Sequence, residues 1–592
     1  MRIMITIQNI SKSAMSWCFA ILTYLPLGGF GWALTSCSSY IEEETDGLAT
    51  EEKVGDSTDA MNYWVTGTYS KWVYDMFCWG YFPRVLEFDA DYISGPDWLF
   101  GKFGVGNFQG EADVTDALWK GCYGLIERAN NAIRHIDAME NITLAEKNNA
   151  IGEMEFHKAM GYFLLVRAYG AVPILPLEEN ANFDYNNERQ PVEKVWSEIF
   201  ELLEDAALKM YNFDNPNYVQ GHVSAGSAAG LLVKALATAA SYAMPNGTPI
   251  TVRNGHPYEV TDGAATAYAP LKTYTFTKGA SGDAAKGYDN LNAESLYAKA
   301  ASWGRRLIEE NEFGNYSLVE SFEALWSKSN RYAPEFMFSI YVPSNDPKFK
   351  TSIHTQYEGY YTAPGSDFIQ SGGWVGCTRH WYALFDSDDD RIVKGVKHRW
   401  RSYNQEAWNT GYFYPEDYKD LYPEMYDDGV DYEFSYDSYH LAYTTKYMDV
   451  SDNAIENADT PWPFLRLADV YLMYAEALNE TGNTAEAEVW LKKVRERSNA
   501  TSTTITDRDE MRSAIIEERA KELACEADRR WDLIRWGIYL QAMNDGFDAS
   551  SGYGSDDGKV LKNRQAKHLL YPIPNQELNI NKAITENNPG WN

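Results

Sequence analysis

The sequence predicts a mainly α protein in which pairs of helices form a scaffold and carry irregular insertions of loops and short strands. Over the stretches 114–243, 290–332 and 464–592, apolar residues recur at helical spacing. Glycine or proline stands where several of these periodic segments end, as expected at helix boundaries. The chain has 592 residues, of which 45% are hydrophobic, so it can bury a large core. We expect residues 59–592 to form a single domain.

Three stretches between the helical blocks have a different composition. Residues 75–110 are rich in glycine, phenylalanine and tryptophan and lack helical spacing. Residues 245–289 and 333–463 are rich in glycine and tyrosine and do not have the pattern of helical arrays. They also lack the charge and low complexity of disordered linkers. We therefore expect ordered insertions. We place the ligand-binding site on them, because loops on a rigid scaffold commonly carry binding residues.

Residues 1–36 have the features of a signal peptide that is removed after export. Arg2 and Lys12 precede an apolar run over 17–34, which proline and glycine residues interrupt. After this run, a leucine and two small residues directly precede Cys37. This pattern resembles a bacterial lipobox, so we predict that Cys37 is lipidated. Residues 37–58 are polar and acidic, and we expect them to form a flexible tether.

Apolar spacing predicts several helices in the first half of the chain. Helices are expected over 60–74, 152–169, 191–210 and 224–243, and a further helix begins at Val114. The helix over 152–169 is expected to stop at the glycine that follows it. These segments are predicted to pair as helix hairpins.

The same pattern returns in the last third of the chain. A helix is predicted over 464–480, and Asn483 followed by Glu486 has the spacing of a capping box. The two helices around this turn resemble a tetratricopeptide helix pair, and such pairs bury their apolar faces by stacking on neighbours. A third C-terminal helix is predicted over 515–540, with apolar side chains on one face.

Charged residues interrupt the apolar C-terminal helices. Asp469 and Glu476 lie seven residues apart on one helix face. They have the residue types of a general acid and base. We instead expect ion pairs that link packed helices, because helix packing would bury them. Four further charges recur at every third residue, which predicts pairing along one helix: Glu526, Arg529, Asp532 and Arg535.

No catalytic residues and no cofactor are predicted. The sequence has no nucleophile elbow, zinc-protease motif or phosphate-binding loop. Asp386, Asp388 and Asp390 begin like a calcium loop, but Arg391 replaces the required glycine and Lys397 the final glutamate. We therefore predict no metal site of that kind. A structural calcium ion held in another arrangement has no support in the sequence.

Aromatic residues outside the helical stripes are the main candidates for ligand contact. Trp98 follows a turn-forming Ser-Gly-Pro-Asp segment, and Trp374 follows two glycines. Flat aromatic rings can stack on sugar rings while polar groups at their edges form hydrogen bonds. The predicted ligand-binding residues are Trp98, Trp374, Tyr360, Tyr361, Arg84 and Asp97.

The net charge of the chain limits the classes of partner that it is expected to bind. The formal net charge is −33, from 85 acidic and 52 basic residues. Such a surface repels polyphosphate, so nucleic acid is not expected as a partner.

Several motifs taken together resemble the SusD/RagB family of outer-membrane nutrient-binding lipoproteins. The motifs are Arg128-Ala129-Asn130-Asn131, Gly152-Glu153-Met154-Glu155-Phe156, Tyr169-Gly170-Ala171-Val172-Pro173 and the tract over 464–591, which closes on Asn588-Pro589-Gly590-Trp591. The resemblance extends from Cys37 to Trp591. The chain departs from the family pattern at Cys525, where an aromatic residue is usual, and at Ala527-Asp528, where one residue is usually glycine.

The resemblance implies a SusD-like fold, in which tetratricopeptide-like helix pairs support an irregular ligand-binding part. It implies a non-catalytic protein that binds oligosaccharides and delivers them to a SusC-like TonB-dependent transporter. The lipid on Cys37 would anchor the protein in the outer membrane. The acidic run after Cys37 resembles a signal for facing the cell exterior. Peptide binding on the same scaffold and surface glycosidase activity are the alternatives, since two carboxylates of an acidic chain could form a glycosidase site.

Overall fold

The structure is a computed structural model of the whole chain. It describes residues 55–73, 81–95, 106–178, 186–255, 258–261, 264–279, 287–342, 353–357, 361–362, 369–370, 375–401, 410–415, 431–433, 441–450, 459, 461–544 and 564–591. Residues Asp56–Asn592 form one compact unit. The predicted signal peptide, Cys37 and most of the predicted tether lie outside the described residues.

The fold is mainly α, as the apolar spacing predicts. The helices of the first half are α1 (Thr58–Lys71), α2 (Tyr81–Glu87), α3 (Ala112–Ala138), α4 (Leu144–Tyr169), α5 (Val192–Lys209), α6 (Ala225–Ala243) and α7 (Ala293–Ile308). Short helices follow: α8 (Phe322–Leu325), α9 (Ile353–Tyr357), α10 (Arg379–Tyr382) and α11 (Asp390–Val393). The C-terminal helices are α12 (Leu467–Glu480), α13 (Thr484–Arg497), α14 (Arg508–Glu522), α15 (Arg529–Arg535), α16 (Tyr539–Asn544) and α17 (Asn575–Ile580).

Short strands, numbered in chain order, form seven small sheets among the described residues. Six sheets are antiparallel pairs: β1 (Ile93–Ser94) with β11 (Gly376–Cys377), β2 (Val172–Pro173) with β3 (Arg189–Gln190), β4 (Pro249–Asn254) with β7 (Lys272–Thr277), β5 (Tyr258–Thr261) with β6 (Ala264–Tyr268), β8 (Phe336–Ile340) with β15 (Trp462–Arg466), and β9 (Tyr361–Thr362) with β10 (Ile369–Gln370). The seventh contains β12 (Arg399–Arg401), β13 (Thr410–Phe413) and β14 (Asp431–Glu433).

The helices pack in the succession that hairpins predict. Helices α3 to α7 each contact the next along the chain, and α12 packs on α6, α7, α13 and α14. The alanine-rich α6 is buried along almost its whole length. On α7, a Cβ at Gly304 would lie 2.4 Å from the ring of Tyr474. Glycine at this position therefore permits the close approach of α7 and α12.

The helix predicted over 152–169 begins eight residues earlier than predicted, at Leu144. Thr143 caps α4 through its Oγ1, which accepts a hydrogen bond from the N–H of Glu146 at 3.2 Å. The carboxylate of Glu146 accepts from the N–H of Thr143 at 2.9 Å, which completes a capping box. The predicted stop is confirmed, since Gly170 ends the helix at a φ of 73°.

Replacing Thr143 with alanine is expected to lower the free energy of unfolding by about 1 kcal/mol, because the N–H of Glu146 in the first turn loses its side-chain acceptor. Urea denaturation would measure the change. Thr143→Ser is the matched control, because serine keeps the Oγ and should retain most of the stability. A serine variant as unstable as the alanine variant would contradict a role for the hydroxyl group.

Two predictions for the helix pair over 464–497 are corrected. Residues 464–466 belong to strand β15, which pairs with β8, and the helix begins at Leu467. Asn483 stands at the start of α13, but its side chain forms no capping hydrogen bond. The predicted apolar stripe of α13 is confirmed, because Ala487, Trp490, Leu491 and Val494 are its buried residues.

The single helix predicted over 515–540 is wrong, because the chain forms three shorter helices there. Helix α14 ends at Glu522, and α15 and α16 follow after two breaks. Cys525 and Ala527 have φ angles of 63° and 69°, and Gly537 has 63°. A right-handed helix cannot continue through this left-handed backbone. The apolar spacing continues across the breaks because every segment faces the same core.

Candidate functional site

Most of the predicted ligand-binding residues lie outside the described part of the chain. These are Trp98, Asp97, Trp374 and Tyr360. Tyr361 is described through its backbone alone, as the first residue of β9, where it pairs with Gln370. Arg84 lies in the last turn of α2 and is partly exposed. The structure therefore defines the frame that carries these segments.

The pairing of β1 with β11 joins the two predicted tryptophan segments. Ser94 pairs with Gly376 in antiparallel register. In an antiparallel pair, the chain that leaves one strand lies at the same end as the chain that enters the other. Trp98 is four residues after Ser94, and Trp374 is two residues before Gly376. The two segments therefore start side by side, although they are distant in the sequence.

Further backbone hydrogen bonds attach this strand pair to its neighbours. Cys377 and Ala442 exchange two hydrogen bonds, with N···O distances of 3.0 and 2.8 Å. The N–H of Val375 donates to the carbonyl of Gln356 in α9 at 2.8 Å. Four separate stretches of the sequence thus meet at the base of the predicted binding loops.

A buried carboxyl group lies beneath this frame. Glu87, the last residue of α2, accepts a hydrogen bond from the hydroxyl of Tyr357 at 2.6 Å. The rings of Tyr447 and Trp462 stack at 5.5 Å beside Tyr357. Burial raises the pKa of Glu87 to about 7, and the hydrogen bond from Tyr357 only partly opposes it. Glu87 thus links α2 to α9 as a largely desolvated acid.

The segment before β1 is tied to the C-terminal helices by a first ion pair. The guanidinium of Arg529 donates two hydrogen bonds to the carboxylate of Asp91, at 2.8 and 2.7 Å. The side-chain amide of Asn254 donates to the same carboxylate at 3.1 Å. Arg529 also lies over the ring of Tyr92, 4.6 Å from its centroid. This bidentate pair connects the start of β1 to α15 and β4.

A second ion-pair cluster surrounds Asp89. The carboxylate of Asp89 accepts hydrogen bonds from Arg564 at 2.8 and 2.6 Å, and further ones from Arg530 and Tyr539. Arg530 also donates to the carbonyl of His568 at 2.7 Å. The side chains of Asp89 and of both arginines are fully buried. One carboxylate therefore holds together α2, α15, α16 and the C-terminal segment.

Asp469 and Glu476 form ion pairs between helices, as predicted. Asp469 binds Arg519 at 2.5 Å and Lys234 at 2.7 Å. Glu476 accepts two hydrogen bonds from Arg535, at 2.6 and 2.7 Å. Both carboxylates are about 1% exposed. They hold α12 against α6, α14 and α15, so both carboxylates serve as buried ion-pair partners between helices.

The prediction for the four charges at every third residue is partly wrong. Asp532 and Arg535 do pair along α15, at 2.7 Å. Glu526 lies outside α15 and binds Arg466 at 2.6 Å, and Arg529 binds the carboxylate before β1. The backbone break after α14 turns Glu526 away from the face that Arg529 occupies.

Arg466 is the centre of a further buried network. Its guanidinium binds Glu335 at 3.0 Å, Glu522 at 3.1 Å and Glu526 at 2.6 Å. Burial by itself would raise the pKa of Glu522, but Arg497, Arg466 and other nearby cations outweigh it and lower that pKa to about 2. Such a carboxylate stays ionised and paired near neutral pH, which suits structural cross-linking and not proton transfer.

The acidic turn over 386–390 is explained by helix capping. Asp389 accepts from the N–H of Arg391 at 2.9 Å at the start of α11, and it pairs with the Arg391 guanidinium at 2.7 Å. Across the described residues, no group of three or more His, Cys, Asp or Glu side chains could hold a metal ion. In that same portion, no helix combines the length and apolarity that a membrane span requires.

Comparison with known proteins identifies the class of this scaffold. The model of the SusD family matches residues 193–591, and a model described as "Starch-binding associating with outer membrane" matches residues 104–234. The SusD-like protein P25 of Formosa agariphila is 23% identical over 572 residues, which cover 93% of this chain and 95% of the relative.

Solved structures share the fold. A SusD homologue from Bacteroides thetaiotaomicron superposes with a TM-score of 0.70 at 22% identity, covering 92% of this chain and 99% of the homologue. The surface glycan-binding protein A of Bacteroides thetaiotaomicron, in complex with laminarihexaose, gives a TM-score of 0.62 at 16% identity, covering 90% and 99%. The class is that of mainly α proteins with a SusD-like fold. The chain belongs to the SusD family.

The supporting carboxylates of the site were missed in the sequence. Glu87, Asp89 and Asp91 alternate with Phe88 and Ala90, and all five residues are buried. The usable signal was opposite charge, because the two aspartates pair with arginines of the C-terminal tract, whereas Glu87 accepts from Tyr357. Their pairing over such a distance in sequence was not predictable from spacing.

Proposed function

We propose that this protein binds oligosaccharides at the cell surface and delivers them to a SusC-like TonB-dependent transporter, without catalysis. Membership of the SusD family supports this function, as does the laminarihexaose bound to a protein of the same fold. Outer-membrane attachment through a lipid on Cys37 is part of the proposal. It is supported by the leucine and two small residues that precede Cys37 and by the family description that names the outer membrane.

The observation that carries the proposed site is the pairing of β1 with β11. Ser94 and Gly376 are neighbours in one ladder. Four residues of extended chain reach about 14 Å and two reach about 7 Å, which limits how far Trp98 and Trp374 can lie from this ladder. We place the sugar-stacking surface there, with Tyr360 and Tyr361 beside it and Arg84 and Asp97 as hydrogen-bonding groups.

The proposal is tested by isothermal titration of the purified protein with a panel of neutral oligosaccharides, including laminarihexaose and malto-oligosaccharides. Trp98→Ala and Trp374→Ala are each expected to weaken binding about tenfold, which corresponds to about 1.4 kcal/mol. Tyr63→Ala is the matched control, because Tyr63 is an exposed aromatic residue on α1, 51% accessible, and belongs to neither segment.

Three outcomes would contradict parts of this proposal. Unchanged affinity in both tryptophan variants would place the binding surface elsewhere. Release of shorter sugars during incubation would show a glycosidase. Saturable binding of peptides without any binding of oligosaccharides would assign the scaffold to peptide uptake.

A further inference from the structure

A small aromatic cleft lies in a different part of the fold from the β1 and β11 pair. Its volume is about 240 Å³. It lies between the loop that joins α5 to α6 and the residues around the start of β8. The residues that matter for its chemistry are Phe213, Tyr218, Gln220, Tyr316, Tyr332 and Tyr341. We call it the tyrosine cleft.

One wall of the tyrosine cleft is a pair of stacked rings, of which Tyr332 is exposed and Tyr341 is half-buried. Tyr332 and Tyr341 lie 4.6 Å apart at an interplanar angle of 27°. Tyr341 is held in place because its hydroxyl donates to the carbonyl of Arg331 at 2.9 Å. Tyr332 is 46% exposed, which is unusual for a large ring with a stacking partner in this protein. The pair therefore offers a fixed aromatic surface at the rim of a cavity.

The backbone of Gly221 lies against this pair. Its φ of 90° is in the left-handed region, and a Cβ there would lie 3.4 Å from the ring of Tyr332 and 3.8 Å from that of Tyr341. Glycine satisfies both the backbone conformation and the close approach. The loop thus supports the stacked rings from one side.

The opposite wall is also rigid. Phe213 and Tyr316 have ring centroids 4.6 Å apart, and the Tyr316 hydroxyl is 2.7 Å from the Oγ of Ser224 at the start of α6. The Tyr218 hydroxyl donates to the carbonyl of His222 at 2.7 Å. These contacts give the cleft a preformed shape, which lowers the entropy that a ligand must lose on binding.

The lining of the cleft has few ionisable side chains, although the chain carries a net charge of −33. Among its lining residues, His222 is the single member of the acidic, basic or histidine types, and its Nδ1 is 2.8 Å from the carboxylate of Glu153. In the described part of the chain, the Gln220 amide and the Tyr332 hydroxyl have no hydrogen-bond partner. Neutral polar groups beside aromatic rings suit an uncharged, hydroxyl-rich ligand.

We propose that the tyrosine cleft is a second carbohydrate subsite, which binds one neutral sugar ring by stacking on Tyr332. Its volume is below the range of about 300–1,000 Å³ that drug-sized ligands occupy, so it fits a single ring better than a chain. The inference rests on the proposed glycan-binding function, but it shares no residue with the surface at Trp98 and Trp374. A glycan could therefore contact both places or either one alone.

The test uses the same titrations with the full chain in four forms: wild type, Tyr332→Ala, the Trp98→Ala/Trp374→Ala variant, and the combination of all three. Tyr332→Ala is expected to weaken binding about fivefold or to remove a second class of sites. The combined variant should bind more weakly than the double tryptophan variant. Tyr63→Ala serves again as the exposed aromatic control, and thermal unfolding verifies that each variant is folded.

The outcomes separate this inference from the proposed function. If wild type binds oligosaccharides but Tyr332→Ala changes neither affinity nor stoichiometry in either background, the subsite is refuted and the proposed function stands. If wild type binds no oligosaccharide of the panel, both are refuted. If Tyr332→Ala weakens the binding of peptides alone, the cleft recognises peptides and the carbohydrate assignment is wrong.

Discussion

Replacing Asp89 with alanine is expected to lower the free energy of unfolding by about 3–5 kcal/mol. The substitution leaves Arg530 and Arg564 buried without the carboxylate that both contact. The loss of one partner from a buried ion pair is far more costly than the loss of a surface pair, because the remaining charge stays desolvated. Urea denaturation at neutral pH, followed by tryptophan fluorescence, would measure the change.

A surface ion pair provides the control for this prediction. Glu312 binds Arg306 at 2.6 Å, but both side chains are partly exposed, at 41% and 28%. Glu312→Ala is therefore expected to change the free energy of unfolding by less than about 1 kcal/mol. Equal effects of Asp89→Ala and Glu312→Ala would contradict the view that the Asp89 cluster is a buried anchor at the base of the predicted binding loops.

Replacing Glu87 with glutamine is expected to stabilise the protein increasingly as the pH rises. The pKa of Glu87 is raised from 4.5 to about 7 in the folded protein. The folded state therefore holds this proton more tightly than the unfolded state, and the contribution of Glu87 to stability falls as pH rises from 4.5 to 7. Glutamine stays neutral throughout. The advantage of Glu87→Gln over wild type should grow by about 2–3 kcal/mol between pH 5 and pH 8.

The comparison with wild type at each pH is essential because other groups titrate with the opposite sign. Burial lowers the pKa of His157 and of His568 to about 3, so both favour the folded state more as pH rises towards 6.5. These contributions are common to both proteins and cancel in the difference. Urea denaturation at pH 5, 6.5 and 8 would measure that difference. A difference that is constant with pH would show that Glu87 is ionised in the folded protein.

The helices could be predicted from sequence because their signals are local. The stripe of Ala487, Trp490, Leu491 and Val494 identified the buried face of α13. Gly170 identified the end of α4. In both cases the residues that decide the structure lie within one or two turns of each other, so spacing along the chain reports directly on packing.

The errors have a common physical origin in contacts between distant segments. The apolar residues over 464–466 continue the helical spacing of the residues that follow them. They nevertheless form strand β15, because they pair with β8. Cys525 and Ala527 have left-handed backbone conformations that neither residue type favours. The surrounding ion pairs of α14 and α15 hold the chain in this path, and no local propensity indicates it.

The candidate site was predictable only in part. The composition of the insertions pointed to the segments with Trp98 and Trp374, and the ladder of β1 and β11 shows that these segments share a base. No pattern in the sequence indicated the tyrosine cleft, because its lining residues come from three segments between Phe213 and Tyr341. Such a surface is defined only when the chain is folded.

The ion pairs of Asp89 also constrain when the protein can fold. Asp89 is separated from Arg530 by 441 residues and from Arg564 by 475. Contacts of such high sequence separation form late and slow the folding reaction, because a very long loop must close first. During synthesis or export from the N-terminus, Asp89 lacks these partners until the segment over 530–564 has emerged. The base of the predicted binding loops therefore gains these ion pairs only after the segments that carry both arginines are present.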